Sequence, residues 1–266
     1  GLIVNPIIAA VNEQTLGITT RPRYFFYDFN GKVNWRVGER DRVYLSFFNG
    51  KDDFGLASTE RFGVSQSSID FGLDWFNSVA AARWNHEWTP KLFSNLTVTR
   101  SEYTFNTGIE FSETENTASD STTQRLNSLY RSGIVDHAAR MDFNYALNNT
   151  HYLRFGGNLT LHRFNPGATT FQAEFGQDFP GIDTTLGAEQ VRSAEQFLYI
   201  EDEMHLSDRF RANIGLHGAR LQVNGASFNS LQPRIALNYR LRNGGAIKAS
   251  YARMNQFVHL LTNEGL

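Results

Sequence analysis

The chain has 266 residues, 41% of them hydrophobic and 14% aromatic, and a formal net charge of -2. That balance implies no general attraction to nucleic acid or to anionic lipid, and without cysteine there is neither a disulfide framework nor a thiolate metal site. No stretch approaches the ~18 apolar residues of a membrane helix, which excludes a helical membrane protein and leaves open a barrel of alternating strands.

Residues 1–20 mix aliphatics with Pro6, Asn12 and Gly17 and read as an irregular lead-in with a short strand near residues 7–11. They lack a signal peptide's basic and apolar regions and an initiator Met, so the expectation is a chain that starts after processing or inside a longer protein. From Tyr24 the alternation sets in, with Tyr27, Phe29, Val33, Trp35 and Val37 on one face and Asp28, Asn30, Lys32, Asn34 and Arg36 on the other. Gly38-Glu39-Arg40-Asp41 turns the chain, residues 42–50 return, and residues 51–74 read as a long polar, glycine-dotted connection.

The cycle then repeats. Residues 75–88 and 92–111 flank the turn Thr89-Pro90-Lys91, and residues 112–124 are loop-like in composition. Residues 126–147 and 151–164 flank Asn148-Asn149-Thr150, and residues 165–192 form the longest expected loop. Residues 193–206 and 209–225 flank Ser207-Asp208. The last hairpin is the clearest. Leu231, Pro233, Ile235, Leu237, Tyr239 and Leu241 oppose Gln232, Arg234, Ala236, Asn238 and Arg240, and Arg242-Asn243-Gly244-Gly245 supplies the turn. Pro233, with no N–H, argues for an edge, a bulge or a strand end.

Short turns thus fall at one end of the strands and long connections at the other, the layout of an outer-membrane barrel. The expected strands are longer than the roughly 5 to 6 residues of a soluble sandwich and the roughly 9 to 11 that cross a bilayer. Aromatics gather near the short turns, at Trp35, Trp84, Trp88, Phe93, Tyr145, Tyr152, Phe210 and Tyr239, as in an interfacial girdle. The fold class is all-β, an antiparallel up-and-down transmembrane barrel.

Asp41-Arg42-Val43-Tyr44-Leu45-Ser46, Ala82-Arg83-Trp84-Asn85-His86, Pro90-Lys91-Leu92-Phe93-Ser94-Asn95, Ser132-Gly133-Ile134-Val135-Asp136, SLQPRIALNYRL and KASYARMNQFVHLLTNEGL together carry a family resemblance. In order and spacing they resemble the barrel of TonB-dependent outer-membrane receptors of the Bacteroidota, most of all SusC-like members and relatives with a carboxypeptidase-regulatory-like front domain. The resemblance implies a barrel of about 22 strands, of which the sequence supplies roughly ten, with plug domain, TonB box and remaining strands absent from residues 1–266. It implies a cell outer membrane location, import of a glycan, peptide or chelated metal into the periplasm, and contact with outer-membrane lipid, with TonB through the plug region and with a surface lipoprotein. A passive porin, or a structural barrel serving as a platform for surface lipoproteins, is the alternative. A soluble β-rich binding module is a third reading, which extraction without detergent would reveal.

No enzyme chemistry is indicated. The seven histidines have no metal-ligand spacing, no serine sits in a nucleophile elbow, and no cofactor motif is present. Glu201 and Glu203 share a face with Tyr199 and His205, with Asp202 opposite, and read as barrel wall or as ion pairs with a neighbouring Arg. The candidate lumen-lining residues are Arg36, Arg83, Arg140, Arg154, Glu201, Glu203, Arg234 and Arg240. The candidate ligand contacts are aromatics of the expected long loops, Phe54, Phe62, Phe71, Phe171, Phe175 and Phe179, whose ring faces stack on sugars or apolar chains.

Overall fold

A computed structural model describes residues 18–116, 121–175, 180–187 and 190–258. Its strands are β1 (Ile18–Arg36), β2 (Asp41–Phe62), β3 (Ser65–Thr89), β4 (Leu92–Asn116), β5 (Ser121–Ala146), β6 (His151–Phe175), β7 (Ile182–Leu186), β8 (Val191–His205), β9 (Phe210–Val223), β10 (Ala226–Arg240) and β11 (Ala246–Ala252). Ten of them pair in chain order, and the short β7 folds back on β6. All pairings are antiparallel. The sheet does not close on itself, so β1 and β11 are its edges.

It is a single layer. Among the described residues the buried hydrophobics are only Val135, Ala173, Ala212 and Leu221, whereas two stacked sheets would share a dry interior. Trp35 is 64% exposed and Leu198 is 73% exposed. This excludes the soluble sandwich and fits a portion of a barrel wall.

The five turns at residues 38–40, 90–91, 147–150, 206–209 and 241–245 fall where the sequence places them. In the last, Gly244 adopts φ +85° and Asn243 Oδ1 accepts the Gly245 N–H at 3.2 Å. Pro233 lies inside β10, and the strand that ends beside it is β11, whose pairing stops at Ala252. The Pro233 carbonyl accepts the Arg253 N–H at 3.1 Å, so its missing donor faces the place where the ladder has run out.

The long connections are not loops. Residues 51–74 are strand through Phe62, a two-residue turn and strand again from Ser65. Residues 112–124 are strand except for 117–120, which lie outside the described residues. Of residues 165–192, β6 takes those up to Phe175 and β7 takes five more. Residues 1–17, with the expected short strand, also lie outside the described residues; the lead-in otherwise gives way to β1 at Ile18.

The reason lies in the phase of the alternation. Opposed residues of paired strands share a face, so the register assigns every side chain. On the outer face near the short turns stand Val43, Leu45 and Phe47 of β2, Leu92, Leu96 and Val98 of β4, and Leu153, Phe155, Leu159 and Leu161 of β6. Beyond them the same face turns polar, with Lys51 and Asp53 on β2, Arg100, Glu102, Asn106 and Glu110 on β4, and Arg163 on β6. The inner face does the reverse. On β4 it runs Asn95, Thr97, Thr99 and Ser101, then Tyr103, Phe105, Ile109 and Phe111. Across β2 to β5 the ladder runs unbroken through the inversion, and a pattern keyed to one phase reads the inverted part as loop.

Candidate functional site

The inner face divides at this inversion into a charged lower wall and an apolar upper one. The lower wall is wired across β5 to β10. Asp142, Gly156 and Tyr199 stand opposite one another in one row, and Tyr199 Oη reaches over the bare glycine to donate to Asp142 Oδ1 at 2.6 Å. Arg140 Nε donates to both oxygens of Asp142, at 3.0 and 2.8 Å, and its guanidinium lies 5.7 Å from the Phe197 ring centre.

The device repeats two residues on. Glu201, Gly215 and Arg234 form a row, and Glu201 leans over Gly215, where an added Cβ would meet its Cγ at 2.8 Å. Its carboxylate lies 3.0 Å from His217 Nε2 and 4.0 Å from Arg234 Nη1. His217 stacks on Tyr199 at 5.0 Å, joining the two clusters. Arg154 Nη2 donates to Glu203 at 3.0 Å, with His205 at 3.6 Å. Glu201 and Glu203 therefore share the inner face with Tyr199 and His205, and each has an arginine beside it. Asp202 faces the other way, 2.7 Å from His151 Nδ1. Arg36, Arg83 and Arg240 are on the inner face near the short turns, outside this network.

Glu201→Ala is expected to cost roughly 2 kcal/mol, because it strands the Arg234 and His217 donors together. The urea midpoint of the folded chain in detergent reads this directly, and an unchanged midpoint would mean that the cluster contributes nothing. Six of the buried polar atoms that lack a hydrogen-bond partner in the described structure lie on this face, among them Arg154 Nε and Arg234 Nε. The face has hydrogen-bonding capacity to spare for water or protein.

The upper wall holds the aromatics predicted for loops, and they are on strands. Leu56, Phe71, Ile109, Ser128 and Phe171 form one row across β2 to β6, and Ile69, Phe111, Leu126, Ala173 and Ile182 form the next. Phe54 meets Phe71 edge-on at 6.4 Å. Phe62 ends β2, also inward, and is 86% exposed. Phe175 closes β6 on the same face, whereas Phe179 lies outside the described residues. Sequence reasoning missed Leu56, Ile69, Ile109, Phe111 and Leu126; their two-residue spacing with Phe54, Phe71 and Tyr103 was the available signal.

Phe171 and Phe175 reach this face through a bulge. Arg131 pairs with Ala168 and Gly133 with Asn165, so β6 carries one extra residue there. Gly167, at φ +137°, seats the bulge under the Tyr130 ring, and Tyr130 Oη donates to the Pro166 carbonyl at 3.3 Å. At the same height Tyr24 donates to Asp52 at 3.0 Å, and this bond, with the nearby carboxylate charges, pushes the phenol above its ordinary pKa. Among the described residues no group of three or more His, Asp and Glu is placed to hold a metal.

A single-layer antiparallel wall, apolar outside and charged within over one zone and inverted beyond it, is of the outer-membrane barrel class. Residues 10–256 match the family described as TonB dependent receptor-like, beta-barrel, and the chain belongs to that family. No curated protein matches it in sequence. Among solved structures it is similar to the ferripyoverdine receptor of the Pseudomonas aeruginosa outer membrane, at 8% identity and TM-score 0.47, over 88% of this chain and 41% of that one. It is similar to the ferric preacinetobactin receptor of Acinetobacter baumannii at 10% identity and TM-score 0.40, over 88% and 46%. For the ferric-catecholate import receptor of E. coli K12 the figures are 9% and 0.36, over 91% and 60%. The chain spans less than two thirds of each.

Proposed function

We propose that this sheet is part of the wall of a TonB-dependent outer-membrane transporter that imports a ligand into the periplasm. Its lower outer face meets lipid, its charged inner face meets water and a plug domain, and its upper strands stand above the membrane. The observation that carries this is the inversion of polarity along unbroken strands, since a sheet passing from lipid into water has no reason to keep its outer face apolar. The spare donors of the inner wall suit a hydrated, protein-filled interior.

The ligand is a glycan, a peptide or a chelated metal. The upper inner wall, with Phe54, Phe71 and Phe171, suits a molecule offering ring faces or apolar groups. The sequence segments quoted above favour a SusC-like receptor of the Bacteroidota, with TonB and a surface lipoprotein as partners. Uptake of labelled ligand into cells carrying the full-length protein is expected to stop when TonB is deleted. Uptake that continues at the same rate without TonB would favour the passive porin instead.

A further inference from the structure

The outer face of β8, β9 and β10 carries a groove. Leu198, Gly218 and Leu231 stand opposite one another in a single row, so a residue without a side chain is flanked by leucines that are 73% and 58% exposed. Leu198 leans away from it, over Gly157 of β6, where an added Cβ would stand 2.6 Å from Leu198 Cδ2. Gly218 therefore has no heavy atom within 4 Å of the place its Cβ would occupy. The space above it measures about 530 Å³, within the range that holds small ligands. One row toward the short turns, Ile200, Leu216 and Pro233 continue the apolar floor, and one row the other way Gln196, Arg220 and Asn229 close it with polar groups.

Arg220 sits where the outer face changes polarity. It lines the end of the groove, and its Nη2 donates to Ser227 Oγ at 3.0 Å, one row farther from Gly218, a neutral partner that leaves the charge uncompensated. A second observation points to the same charge. Arg163 of β6 and Arg192 of β8 are direct cross-strand partners on this face, and neither makes a hydrogen bond or ion pair among the described residues. Like charges directly opposed destabilise a sheet unless an anion lies against them.

We propose that the groove binds one acyl chain of an anionic, phosphate-bearing lipid of the outer leaflet, with the chain over Gly218 and the phosphate on Arg220. The Arg163–Arg192 pair lies four residues farther along β8 from the short turns than the Arg220 row and meets the phosphates of neighbouring lipids there. This rests on the reading above that the lower outer face meets lipid. Arginine suits the role because its planar fork holds phosphate oxygens in pairs.

The test uses the full-length protein in detergent, with dipalmitoyl phosphatidic acid, dipalmitoylglycerol and inorganic phosphate as separate probes, read by native mass spectrometry. Phosphatidic acid is expected to stay bound, and the two probes that each lack one half of it are not. Gly218→Leu fills the groove and Arg220→Gln removes the charge while keeping a donor for Ser227. Each is expected to lower retention roughly tenfold, the worth of one charge-assisted hydrogen bond or a comparable apolar contact. Equal retention by either variant, equal binding of dipalmitoylglycerol, or binding of inorganic phosphate alone would overturn the proposal. Flotation with lipid vesicles keeps the two readings apart: a protein that inserts without selecting the lipid sinks only the groove, and one that does not insert sinks the membrane reading itself.

Discussion

Gly156→Val is expected to lower stability by roughly 3 kcal/mol or more and to cut the yield of folded protein in the outer membrane. A Cβ at this position collides with the Met141 carbonyl oxygen and would stand 3.0 Å from Asp142 Cα and 3.1 Å from the Tyr199 ring. Two of these atoms are backbone of the adjacent strand and move only if β5 and β6 separate. The side chain would also block the path by which Tyr199 reaches Asp142. Tyr199→Phe removes that bond without the collision, and its loss should be nearer 1 kcal/mol. Denaturant titration of the three proteins in one detergent gives the comparison. Equal midpoints for Gly156→Val and Tyr199→Phe would mean that strand separation contributes nothing.

Leu45→Arg is expected to cost about 2 to 4 kcal/mol in a bilayer, the penalty for a cation on the lipid face of a barrel near its midplane. Leu45 lies between Val43 and Phe47 on the outer face and is 52% exposed, so no packed neighbour is displaced. The loss is then one of solvation. Thr59→Arg places the same side chain on the same face of the same strand beyond the inversion, where a change within about 0.5 kcal/mol is expected. Folding into vesicles, followed by urea titration, measures both. Equal penalties at the two positions would remove the boundary between lipid and water that the transporter reading needs.

The hairpins were legible because their turns carry local chemistry. Asn148, Ser207 and Asn243 each accept a backbone N–H within their own turn, at 2.8, 3.1 and 3.2 Å, and such bonds depend on residue type at close range. The strand extensions were not. Residues 51–74 and 112–124 hold as many Asp, Glu, Ser and Thr as a loop does, and only their cross-strand partners show which of those side chains face outward. The charged wall was half legible: the facing of Glu201 and Glu203 follows from a period of two. The bond from Tyr199 to Asp142 does not, since it crosses a whole intervening strand and depends on a glycine that reads as a weak point in a strand rather than as a passage.

The extra residue at Gly167 has a consequence for anyone scanning β6 by mutation. Below it, even-numbered positions such as Arg154 and Asn158 look inward; above it, odd-numbered ones do, Phe171 and Phe175 among them. Flattening the bulge without removing a residue would carry the lower register upward and pair Ser128, Leu126 and Gln124 with Thr170, Gln172 and Glu174, turning both rings off the upper inner wall, whereas deleting one residue there would leave the rings facing inward.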